Sequence, residues 1–201
     1  FNRLGGNSVA ETVVAGMIVG EFIADFVESP EGEIDIPTAV LREALAAERG
    51  KLDVLLKGSG SEQADTLKAE MQQTMTDNVG IFRTGVDLQR AVDKLQKLLV
   101  RSRSIGLRSR RDGPNPELVT AYRVQRMLKI ALCVAQGALT RTESRGAHFR
   151  EDFPRRNDAE WLRRTLATWS DPLATLPTLN YEALDVGRME LPPGWRGYGN
   201  K

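Results

Sequence analysis

The residues best suited to chemistry are gathered at the start of the chain, where a guanidinium, two adjacent glycines and a helix start fall together in Asn2-Arg3-Leu4-Gly5-Gly6-Asn7-Ser8-Val9-Ala10-Glu11. Ser8 and Glu11 have the spacing of a capping box, in which the hydroxyl takes an amide three residues on and the carboxylate returns to the cap amide. Gly5 and Gly6 have no Cβ and let backbone pass close to a flat or bulky ligand. The first turn of a helix offers unpaired N–H groups and partial positive charge to a carbonyl or a phosphate. Arg3 adds a planar fork of donors that matches a carboxylate bidentately. Pattern alone gives two readings: an anion or cofactor site on the tip of a buried helix, or a glycine turn with an ordinary cap and a surface arginine.

Other reactive residue types give less. The single histidine, His148, lies among Ser144, Arg145, Arg150, Glu151 and Asp152. An imidazole can act as acid, base or ligand, but no second ligand, serine elbow or Cys–His pair accompanies it. The one cysteine, Cys133, sits in an apolar helical pattern, which excludes an internal disulfide and thiolate ligation of a metal or iron–sulfur cluster by this chain alone. No metal site is expected. Arg101, Arg103, Arg108, Arg110 and Arg111 form a dense basic stretch that could meet phosphate or anionic lipid. It has no interleaved aromatic residues, so a solvated or partner-facing surface is the reading. A net charge of +1 gives no ground for nucleic-acid binding. No signal peptide is visible, and Glu11 and Glu21 interrupt the first apolar run, so no direct membrane insertion is expected.

These residues need elements to hold them. Over residues 9–26, Val13, Val14, Met17, Ile18, Phe22, Ile23 and Phe26 recur at helical spacing with Ala10, Ala15, Gly16, Gly20 and Ala24 between them, which predicts a nearly all-buried helix. The Pro- and Gly-rich break at 28–36 predicts a domain boundary. A helix from Pro37 places Val40, Leu41, Leu45, Leu52, Leu55 and Leu56 on one face and ends at Gly58-Ser59-Gly60-Ser61. The next, over 62–76, carries Leu67, Met71 and Met75 as core rather than redox groups. A glycine-punctuated connection over 78–85 leads into a helix over 86–100 with Leu88, Val92, Leu95, Leu98 and Leu99 inward. Asn115 and Pro116 form a cap and first residue for the longest helix, 117–142, with Val119, Tyr122, Val124, Met127, Leu128, Ile130, Ala131, Val134 and Leu139 as its apolar residues. A short helix over 157–164 precedes extended pieces at 165–169 and 173–186, or a hairpin, split by Ser170-Asp171-Pro172. The segment around Pro192-Pro193-Gly194 reads as a docked irregular arm. The fold class is mainly α, an antiparallel bundle of three to four helices in a spectrin-repeat-like arrangement.

The opening stretch, Asn2 to Val9 followed by a small-residue-rich apolar helix, resembles the flavoprotein subunit of fumarate reductase and succinate dehydrogenase. Arg141-Thr142-Glu143-Ser144-Arg145-Gly146-Ala147-His148-Phe149-Arg150-Glu151-Asp152-Phe153-Pro154 is similar to that family's T-x-S-R-G-A-H-x-R-x-D-x-P segment. Asn157-Asp158, Trp161-Leu162 and Arg164-Thr165-Leu166 follow in the family order, and Val79 to Arg83 resembles its V-G-I-F-R turn. The ending around Met189 to Gly199 resembles the fumarate reductase branch.

The resemblance implies three parts. Residues 1–36 would be the last helix of an FAD-binding domain whose body lies upstream, 37–156 the helical bundle, and 157–201 a short helix, extended segments and a tail. It implies FAD as cofactor, hydride transfer between fumarate and succinate, Arg3 as the clamp on a substrate carboxylate, and Ser8 and Val9 against the flavin. It places the catalytic proton donor upstream, and none of the residues present is expected to be catalytic. His148 and its neighbours would fix the bundle rather than transfer protons. The implied partners are an iron–sulfur subunit and a cytochrome b-type membrane anchor leading to a quinone pool, as in anaerobic electron transport. Attachment would be at the cytoplasmic face, with the periplasmic face the alternative. This chain alone is expected to be inactive. An L-aspartate oxidase-like flavoprotein and a helical interaction module without chemistry are the alternatives.

Overall fold

The computed structural model describes residues 7–29, 36–110 and 113–186. It divides into two compact units, Phe1–Gly50 and Lys51–Lys201. The first holds α1 (Asn7–Glu28) and most of α2 (Thr38–Lys57). The second holds the last turns of α2, then α3 (Ala64–Val79), β1 (Phe82–Arg83), α4 (Gly85–Arg101), a 3-10 turn (Ser102–Ser104), α5 (Pro116–Thr140), β2 (Phe149–Arg150), α6 (Asp158–Trp161), β3 (Arg163–Thr168) and β4 (Thr178–Ala183). The expected boundary at 36/37 precedes α2, whereas the two units part within that helix. The tail at 192–194 lies outside the described residues.

The architecture is mainly helical, as the pattern predicted. α3, α4 and α5 form a three-helix bundle whose core is Leu67, Met71, Leu88, Val92, Leu95, Leu98, Leu99, Val124, Leu128 and Leu132. The end of α4 meets the start of α3 through Arg101, which binds Glu62 and Glu70. Gln125 in α5 donates to the Ser102 carbonyl just past α4. Consecutive helices are therefore antiparallel. The starts of two of them are capped: the Thr84 hydroxyl accepts from the Asp87 amide, and the Asn115 side chain, as expected, accepts from the Leu118 amide with Pro116 next. Met71 is 5% exposed and Met75 packs on the core, as expected of gap-filling thioethers.

Three sequence expectations need correction. Residues 9–28 of α1 are all exposed, among them Phe22 at 72% and Met17 at 64%. The reason is in its pattern, which is apolar on every side and so demands neighbours on every side. Second, α2 contains no buried residue; Val40, Leu41 and Leu45 are exposed, and only Leu55 and Leu56 near its end pack on the core. Third, α5 turns Val119, Ile130 and Val134 outward and buries Ala121, Ala131, Ala135 and Ala138 beside Val124, Leu128 and Leu132. Its inner face is built on alanine because small side chains let helix backbones approach closely.

A similar close approach fixes the α2–α3 connection. Ser59 pairs antiparallel with Gly106, and Glu62 pairs parallel with Ile105. A Cβ on Gly60 would lie 1.9 Å from the Ser104 carbonyl oxygen, and one on Gly106 would lie 1.8 Å from that of Gly60. Only glycine fits at either place. Downstream, β3 and β4 form the antiparallel hairpin, with Arg163 opposite Ala183 and Thr168 opposite Thr178. Asn157 caps α6 by accepting from the Glu160 amide.

Candidate functional site

Two places hold the candidate chemistry, each described within its own unit. At the first, α1 begins at Asn7, so Ser8 lies in the opening turn instead of capping it as the S-x-x-E spacing suggested. Ser8 is half-buried, its carbonyl accepts from the Thr12 hydroxyl at 2.7 Å, and Val9 is 71% exposed. No acidic side chain stands in that first turn. The first turn thus presents backbone amides with no carboxylate among its four residues to repel an electron-rich group. Arg3, Gly5 and Gly6 lie outside the described residues.

The second place is a junction where all three bundle helices end or begin. β1 and β2 pair in parallel, with Phe82 beside Phe149 and Arg83 beside Arg150. Each arginine closes a helix C-terminus. Arg83 Nε donates to the carbonyls of Val79 (3.2 Å) and Gly80 (2.8 Å) at the end of α3. Arg150, 2% exposed, donates from Nη1 to Ala138 (3.0 Å) and Leu139 (2.9 Å) near the end of α5. Its Nε and Nη2 grip Asp152 bidentately, both at 2.7 Å. The other face of Asp152 accepts from the Gly85 amide at 2.9 Å, a carboxylate at the N-terminus of α4. A Cβ on Gly85 would crowd Asp152 Oδ2 at 3.0 Å and Arg150 Nη2 at 3.1 Å, so glycine is what admits the carboxylate there.

His148 sits between these parts. Arg83 Nη1 lies 2.9 Å from its Nδ1 and the Arg141 carbonyl 3.3 Å from its Nε2. A guanidinium can only donate, so Nδ1 accepts and Nε2 carries the proton. Burial holds the imidazole below its ordinary 6.5; the bond to the Arg141 carbonyl opposes that, and the cations Arg83, Arg150 and Arg141 add to it. Beside it, Glu143 is fully buried, accepting from Arg141 (2.6 Å), Arg145 (2.8 and 3.0 Å) and the Asn157 amide (2.8 Å). Burial pushes its carboxyl up, and those donors together hold it below the ordinary value. Asp158 is held at about 2, chiefly by Arg156 and then by Arg145. Arg141 also donates to the carbonyls of Trp161 and Arg163, which ties the start of the hairpin to the end of α5.

Sequence reasoning named Arg145, His148 and Arg150 here and gave no role to Arg83 or Glu143, which carry many of the bonds. The available signal was the alternation of cations and acids along 141–158. The basic stretch is also anchored internally. Arg101 binds Glu62 and Glu70, Arg103 the Leu173 carbonyl, Arg108 Glu117, and Arg110 the Gly58 carbonyl, while Arg111 lies outside the described residues. Arg103, Arg108 and Arg110 are nonetheless exposed, in keeping with a solvated surface, and acids of α3 and of the first turn of α5 lie beside it. Among the described residues no His, Cys, Asp and Glu side chains gather in a group that could hold a metal, and no helix is long and apolar enough to cross a membrane.

Comparison with known proteins adds to these observations. Residues 68–198 match the family model described as fumarate reductase flavoprotein C-term. The whole chain is 46% identical over 201 residues to the fumarate reductase flavoprotein subunit of Helicobacter pylori, covering 28% of that protein. It is 32% identical over 201 residues to the succinate dehydrogenase flavoprotein subunit of Bacillus subtilis, covering 34% of it. Among solved structures, E. coli quinol fumarate reductase superposes with a TM-score of 0.74 at 29% identity, over 84% of this chain and 28% of that one. The chain thus spans about a third or less of the length of the relatives it matches.

Proposed function

The chain belongs to the fumarate reductase flavoprotein C-terminal family, and from that premise we propose that it is the C-terminal part of a subunit that interconverts fumarate and succinate with FAD. The observation that carries the reading is the 46% identity through all 201 residues, which includes the Arg3 to Val9 stretch as well as the bundle.

The residues present fit the cofactor. The opening turn of α1 is a set of donors without an acid, suited to the electron-rich edge of a flavin, and Ser8 and Val9 are the residues that would meet it. FAD, when bound, supplies the hydride donor or acceptor. The chain's own part is to bind and orient. The Arg3 guanidinium clamps one carboxylate of the four-carbon diacid, and the oriented amides at the helix tip favour negative charge nearby. Electrons pass to a quinone pool through an iron–sulfur subunit and a cytochrome b-type membrane anchor, which hold the protein at the cytoplasmic face of the membrane. Residues 1–201 alone neither retain FAD nor turn over.

Substitution of Arg3 in the full-length protein is the test. Arg3→Ala keeps the flavin and lowers fumarate- and succinate-dependent turnover on the order of 100-fold or more, as expected when a charged partner of a bound anion is truncated. Arg3→Lys restores little, because a point charge does not reproduce the planar fork. Turnover unchanged in Arg3→Ala, or flavin reduction by aspartate in place of succinate, overturns the reading.

A further inference from the structure

The contacts around His148 carry an inference that is independent of flavin chemistry. Arg83 is half-buried, and among the described residues no carboxylate pairs with it; its donors meet the Val79 and Gly80 carbonyls and one imidazole nitrogen. That nitrogen accepts only while the ring is neutral. The charged groups facing His148 are Arg83 from β1, Arg150 from β2 and Arg141 from the end of α5, all cations. The carboxylates of the junction are already engaged, Asp152 by Arg150 and the Gly85 amide, Glu143 by Arg141, Arg145 and the Asn157 amide. The Arg145 side chain faces Glu143 and Asp158, although its backbone pairs with that of His148 across a turn where Gly146 has φ of +58°.

We propose that His148 is an acid-released clasp, whose neutral ring closes the junction of the three bundle helices and whose protonation opens it. A proton arriving from solvent takes Nδ1, the one ring nitrogen that carries no hydrogen, and replaces the acceptor of Arg83 with a donor. Two N–H groups then face each other at hydrogen-bond distance, and a new cation stands among three others with no unengaged carboxylate to offset it. The Arg83 to His148 contact breaks, and with it the tie that reinforces the two-residue pairing of β1 with β2. Because the folded-state pKa is depressed, the closed form is full above the ordinary imidazole range and is lost as pH falls below it.

Hydrogen exchange in the full-length protein, corrected for the intrinsic effect of pH, tests this over segments 80–86 and 142–152. Between about pH 7.5 and about pH 5 the natural protein loses protection in both segments while α4 keeps its own. His148→Gln, a neutral acceptor, shows no such loss across that range. Arg83→Gln removes the guanidinium whose donor the ring accepts, so the step in protection between the two pH values shrinks or disappears, and it decides the matter should His148→Gln fail to fold. Equal protection at both pH values in the natural protein overturns the proposal. So does the same loss in His148→Gln, or a full-sized loss at the natural midpoint in Arg83→Gln.

Discussion

α1 and α4 are both rich in apolar residues, yet their side chains meet opposite fates. α4 sorts its residues into one stripe, and Leu88, Ala91, Val92, Leu95, Leu98 and Leu99 along it are at most 3% exposed. α1 scatters Val13, Val14, Met17, Ile18, Phe22, Ile23 and Phe26 around its circumference, and these are 46–72% exposed. A stripe can be satisfied by one neighbouring layer, which α3 and α5 supply. A helix apolar on all sides requires a surrounding core. The difference separates a part finished within this chain from a part that our functional reading assigns to a larger flavin domain.

The comparison can be broken or sharpened by substitution. The largest effect is expected at Glu143, because Glu143→Ala leaves Arg141, Arg145 and the Asn157 amide facing a buried gap. Its loss should cost about 3–5 kcal/mol in denaturant unfolding of the second unit. Leu95→Ala, at a fully buried site, should cost about 2–5 kcal/mol in the same measurement. Acid unfolding comes next. Asp152 is held at about 2, below the ordinary 3.8, chiefly by its bond to Arg150. Its stabilisation is therefore full above 3.8 and disappears as pH falls toward 2. Asp152→Asn should lower stability at neutral pH and flatten that part of the acid limb in a melting-temperature series. Asn115→Ala, which removes the cap of α5, should cost about 1 kcal/mol. Phe22→Ala in residues 1–201 should change stability by no more than about 0.5 kcal/mol. A cost for Phe22→Ala equal to that of Leu95→Ala would remove the distinction between the two helices.

What could be read in advance follows the same division. α4 and α5 were legible because a break and an apolar row agreed: the glycine-punctuated connection over 78–85 before Leu88 to Leu99, and the Asn115-Pro116 cap before Val124 to Leu132. The two extended runs were legible on either side of Ser170-Asp171-Pro172, and their pairing as a hairpin was one of two readings left open. α2 misled because its leucines form a row without anything to show whether a layer covers it. Ile130 and Val134 misled because they are strongly apolar, while the alanines that line the true inner face of α5 carry little hydrophobic signal. The β1–β2 pairing left no periodic trace, being two residues on each side and joined only in space. Glu143 was missed for a related reason. A charged residue reads as a surface residue until the two guanidiniums and the amide that accompany it inside are known. Of the candidate flavin site, the helix start was legible to within a residue or two, and the roles of Arg3, Ser8 and Val9 came from resemblance rather than pattern.

The central claim is that the start of this chain completes a flavin and dicarboxylate site, and a ligand titration of the full-length protein tests it most directly. Fumarate added to the oxidised protein should perturb the flavin absorption spectrum in a saturable way, and Arg3→Ala should retain the flavin spectrum while losing that perturbation. A full-length protein that carries no flavin, or an Arg3→Ala variant that titrates with fumarate as the natural protein does, would contradict the account.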